Sequence, residues 1–150
     1  MAAAPLRIVA LLATLPLVLS ACGQATKDSA EDFQGEQKAV AQTVEDLQSA
    51  SSKKDGQDRI CTQLLAPALV AQIKTAATRT DPKATCQTAL KDSLKDADTF
   101  DLTVEKVVVD GDKATATVTS DAGGGQDRTD TLELVKVGNA WKIATLGSAT

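Results

Sequence analysis

The chain of 150 residues has no histidine and no tyrosine, and its aromatic residues are Phe33, Phe100 and Trp141. Histidine is the commonest general acid or base near neutral pH and the commonest metal ligand. Its absence excludes triads of the Ser-His-Asp and Cys-His kinds, and with them the zinc sites that use histidine. A carboxylate-only enzyme stays open. An excess of positive charge is lacking too: 16 Lys and Arg stand against 20 Asp and Glu. Nucleic acid and anionic lipid head groups are therefore poor partners for the surface. Cofactor and metal motifs are missing as well. Gly123-Gly124-Gly125 is not followed by the Lys-Ser or Lys-Thr of a phosphate loop. Asp110-Gly111-Asp112, and the triple glycine with Asp127, lack the remaining ligands of a calcium loop, and Asp beside Gly is ordinary turn chemistry. The expectation is no catalytic residue, no cofactor and no metal.

What is present begins with an address. Arg7, the apolar run Ile8–Leu19 and the small residues after it compose a secretory signal, and the run is too short to span a bilayer. Leu19-Ser20-Ala21-Cys22 resembles the lipobox of bacterial lipoproteins. The resemblance implies that a diacylglyceryl group is attached to Cys22, that residues 1–21 are removed, and that Cys22 becomes the first mature residue. Two acyl chains suffice for stable attachment where one gives marginal binding. The expected location is the extracytoplasmic face of the cell membrane. Removal of 21 residues leaves 129, one domain of ordinary size, and it takes Arg7 away, so 15 basic residues face 20 acidic ones.

Residues 22–30 (Cys22 and then GQATKDSA) are small and polar and read as a flexible tether, with the domain over 31–150. Ser29 is suited to cap a helix whose stripe is Phe33, Val40, Val44 and Leu47, with Gly35 delaying the regular part. Lys53-Lys54 ahead of Gly56 reads as a helix stop with a left-handed glycine cap. A short helix over Gln57–Leu65 follows, then a third opened by Pro67 with Leu69, Val70, Ile73 and Ala77 inward. Asp81 as cap and Pro82 in the first turn start a fourth, striped by Cys86, Ala89, Leu90, Leu94 and Ala97. Cys61 and Cys86, on apolar faces of an exported chain, read as a structural disulfide.

From Thr99 the apolar period falls from 3.6 to 2. Strands are predicted at Thr99–Val109, Lys113–Thr119, Arg128–Val137 and Ala140–Leu146, with tight turns at Asp110-Gly111 and Gly138-Asn139. The alternation slips near Glu105-Lys106, which predicts a bulge and a curled sheet. Asp101, Glu105 and Asp130 alternate with apolar neighbours and are expected on the solvated outer face.

Helices followed by such a meander, with Val107-Val108-Val109-Asp110-Gly111-Asp112-Lys113-Ala114 and Asn139-Ala140-Trp141-Lys142-Ile143, resemble the cone-shaped NTF2-like or cystatin-like α+β domains. The chain is also similar to small lipoproteins of Gram-positive bacteria with such a domain. The resemblance implies helices packed on a curved four-stranded antiparallel sheet that encloses a pocket in some members. Some members are isomerases or dehydratases, but their catalytic Asp, His and Tyr residues find no clear counterparts here. Leu102, Val104, Ala116 and Trp141 are the candidate pocket lining, joined by inward Val118, Leu132, Leu134 and Ile143, and the two small alanines of the second strand leave room for a ligand. The reading is a membrane-anchored, non-enzymatic surface lipoprotein that binds a small apolar ligand or a protein partner and no nucleic acid. Its rivals are a carboxylate-dependent enzyme using the same cavity and a purely protein-binding accessory factor.

Overall fold

A computed structural model describes residues 29–94, 101–121 and 127–147 of the chain. Cys22, the signal, most of the tether, Ala97, Thr99, Phe100 and the triple glycine lie outside the described residues. A 3-10 turn, Ser29–Asp32, precedes helix α1 (Gly35–Ser51). Helix α2 (Gly56–Arg59) widens into a π-turn over Ile60–Leu64, and α3 (Pro67–Ala77) and α4 (Cys86–Ser93) follow. The strands are β1 (Asp101–Asp110), β2 (Lys113–Asp121), β3 (Asp127–Val137) and β4 (Ala140–Thr145). They form one antiparallel meander in the order β1-β2-β3-β4, so the fold is the α+β arrangement expected.

The strand pattern follows from local chemistry. Gly111, at φ +58, supplies the left-handed residue that a two-residue hairpin needs between β1 and β2. The slip in alternation is a bulge: Val104 pairs with Val118 and Lys106 with Thr117, leaving Glu105 as the extra residue. A second irregularity, between Glu133 and Leu134 opposite β4, had no sequence signal.

The helices depart from expectation where tertiary contacts override local preference. Ser29 does not cap a helix. Its hydroxyl donates to Glu45 Oε1 (3.2 Å) and accepts the N–H of Val104 (3.1 Å), a group on the open edge of β1. Ser29 and Ala30 are buried, so the folded domain begins before residue 31. Gly56 is not a left-handed cap. It is the first residue of α2, and a Cβ there would lie 1.6 Å from the Ala50 carbonyl oxygen, so the site demands glycine for close backbone approach. Asp81 and Pro82 do not start α4. Asp81 Oδ1 accepts the Lys83 N–H within a turn, whereas Thr85 caps the helix by accepting from the Thr88 N–H, with Thr88 Oγ1 accepting the Thr85 N–H in return.

Val40, Ala41, Val44 and Leu47 of α1 are buried, and the helix packs on β1, β2 and β4. Each buried aliphatic side chain of Val or Leu size contributes about 1.5–3 kcal/mol. Both sheet edges are partly covered. Ser29 and Gln37 bond the β1 edge at the Val104 N–H and the Val107 carbonyl, while the Ala66 N–H donates to the Ile143 carbonyl on β4. Cys61 and Cys86 form a disulfide that ties the π-turn to α4.

Candidate functional site

The concave face of the sheet is a set of cross-strand rows, fixed by the register. Its middle is apolar: Val109, Ala114, Leu134 and Ile143 form one row and Val107, Ala116 and Leu132 the next. The rows at the two ends carry charge. Toward the start of β1 the rows are Val104, Val118 and Asp130, then Leu102, Ser120 and Arg128. At the hairpin end, Lys136 pairs with Trp141.

Leu102, Val104, Ala116 and Trp141, the candidate pocket lining, all belong to the buried core with Val118, Leu132, Leu134 and Ile143. Ala116 is fully buried, 0% exposed, and α1 lies over the sheet. Ala114, the other alanine of β2, is also buried, so both lie inside the layer between helix and sheet. A shallow concavity of about 230 Å³ lies elsewhere, between the start of α2 and α4, with Lys54, Asp58, Gln87 and Lys91 on its walls. Its charged lining does not match an apolar ligand.

Asp130 departs from its expected outer position. Register puts it opposite Val118, hence on the concave face, because directly opposed residues share a face. Its carboxylate is paired with Arg128 Nε at 3.3 Å, and its side chain is 23% exposed. Asp101 and Glu105 are exposed, Asp101 accepting the side-chain amide of Gln48 at 2.8 Å and Glu105 sitting at the bulge.

The most organised polar group of the face is the one at the hairpin end. Trp141 is 4% exposed, and its indole N–H donates to Glu36 Oε2 at 2.6 Å. Lys136 Nζ donates to Glu36 Oε1 at 2.7 Å and stands 5.7 Å from the centre of the Trp141 ring, within range of a cation–π contact. One carboxylate thus takes one donor on each oxygen. The Lys136 ammonium first, and the Trp141 indole N–H next, hold the Glu36 carboxyl below its ordinary value by bonding its charged form. A buried indole N–H requires a partner, but the sequence does not say which of 20 acidic residues supplies it, and Glu36 is 105 positions away. Among the described residues no group of three or more His, Cys, Asp or Glu side chains is placed to hold a metal ion.

The sequence model of the family described as "Putative lumazine-binding" matches residues 35–146. That span runs from the first residue of α1 to just beyond β4 and so takes in the whole helix-on-sheet unit. No curated protein and no solved structure matches the chain.

Proposed function

The chain belongs to the "Putative lumazine-binding" family, whose domain is NTF2-like, and from that premise we propose that it is a non-catalytic small-ligand-binding module, carried on the extracytoplasmic face of the cell membrane by a lipid on Cys22. The observation that carries the reading is the family match across residues 35–146, since it takes in the concave face and the helix over it. The ligand is small, with a polar group suited to one of the charged ends of the sheet face, Lys136 with Trp141 or Arg128 with Asp130. Without histidine or tyrosine the chain lacks the usual proton-transfer side chains, which supports binding without turnover. Leu19-Ser20-Ala21-Cys22 supports the anchor.

Asp130 favours a second reading, the carboxylate-dependent enzyme, because it is a carboxylate on the concave face. Its ion pair with Arg128 and its contact with solvent speak instead for a fixed structural or ligand-orienting charge. The test is extraction of the protein from its native membrane and mass spectrometry of what co-purifies. A small organic molecule at near-stoichiometric amount, chemically unaltered after prolonged incubation, is expected. Conversion of that molecule, lost in Asp130→Asn, would establish the enzyme reading in its place.

A further inference from the structure

The arrangement at the hairpin end has an asymmetry between donors and acceptor. Both donors belong to the sheet. The Lys136 main chain is fixed, its N–H donating to the Asp112 carbonyl at 2.8 Å, and Trp141 is buried in the core. The acceptor instead comes from the first turn of α1, a helix whose N-cap residue, Gln34, makes no side-chain cap. The Glu36 side chain is 52% exposed, whereas that of Lys136 is 25% exposed. Glu36 can turn into water at little solvation cost. The indole N–H cannot follow it, and a buried donor without a partner is costly.

We propose that Trp141 Nε1 and Lys136 Nζ form a binding site for the anionic or carbonyl oxygens of a small ligand, and that the Glu36 carboxylate occupies this site in the ligand-free protein. The proposal rests on the ligand-binding reading above and names the ligand class: a small organic anion, carboxylate or deprotonated imide, that presents two acceptor oxygens. One positive charge and one neutral N–H suit a single negative charge shared by two oxygens, the state in which Glu36 itself is bound. Glu36 acts as an intramolecular competitor whose effective concentration sets the threshold a ligand must exceed.

Trp141 makes the site directly observable, because the chain has one tryptophan and no tyrosine. The experiment titrates sodium acetate, against sodium chloride at matched ionic strength, into mature protein carrying Glu36→Ala, with Trp141 emission as the readout. Acetate is expected to return the emission to that of the wild type with saturation. Binding should weaken by at least about tenfold in Glu36→Ala with Lys136→Met, and by a similar factor in wild type, where Glu36 competes. Should Glu36→Ala fail to fold, Glu36→Gln keeps the side-chain shape and removes the charge, and it should bind acetate more tightly than wild type. Acetate acting no differently from chloride in the folded variant, or equally well without the Lys136 ammonium, overturns the site. A parallel arm measures lumazine binding by dialysis. Lumazine bound without acetate rescue leaves the ligand-binding reading standing and removes this site, while rescue without lumazine binding does the reverse.

Discussion

Glu36 and Trp141 are joined by one short hydrogen bond, and the pH dependence of that bond follows from its direction. The folded Glu36 carboxyl is held below its ordinary value by Lys136 and Trp141, so its contribution to stability is present above the unfolded value and lost as pH falls through the lower folded one. Trp141 emission should therefore change in acid with a midpoint below that of an ordinary glutamate, and Glu36→Gln should remove the transition. A midpoint at or above the ordinary value would contradict the bond. Ala116 carries a second expectation at this scale. Because Ala116 is 0% exposed, Ala116→Leu should destabilise the domain by about 1–3 kcal/mol through overpacking, measured by urea unfolding. An unchanged midpoint would mean that free volume adjoins Ala116.

Among the elements, α4 gives the sharpest test. Thr85→Ala should cost about 1 kcal/mol through loss of the cap, and Asp81→Ala no more than about 0.5 kcal/mol. The reverse order would restore the helix start read from Asp81-Pro82. Replacing Cys61 and Cys86 together by serine should cost about 3–4 kcal/mol by the chain-entropy model for a separation of 25 residues, seen as a lower urea midpoint that reductant does not lower further. The same elements show what a sequence discloses. The alternation in β1 and β2, the Asp110-Gly111 turn and the Glu105 bulge were legible because each is a property of neighbouring residues. The cap of α4 was ambiguous because Asp81 and Thr85 are both good caps, and Pro82 favours the wrong one. Ser29 was misread because its partner, the Val104 N–H, is a strand-edge group 75 residues away. Asp130 was misplaced since the aliphatic alternation Leu132, Leu134 continues back to it on the inward face, while its charge argued for the outside. The Glu36–Lys136–Trp141 group was not legible at all, because it joins α1 to the last hairpin.

For the whole molecule, Ser29 is buried in the folded domain, and six residues, 23–28, lie between it and Cys22 in the sequence. Seven residue steps reach at most about 25 Å, which would hold a lipid-anchored domain close to the bilayer. Cys22→Ser should block lipid attachment and removal of residues 1–21, so that mass spectrometry finds the signal uncut and no lipid mass on the N-terminal peptide. An unmodified Cys22 in the mature wild-type protein would refute the anchor. On the proposed reading the domain binds a small ligand without transforming it. Equilibrium dialysis of lumazine against the mature chain carrying Cys22→Ser tests this most directly, with mass spectrometry of the recovered ligand. Saturable binding at one site per chain and recovery of intact lumazine are expected; no binding up to the solubility limit of lumazine, or its recovery as a product, would refute the reading.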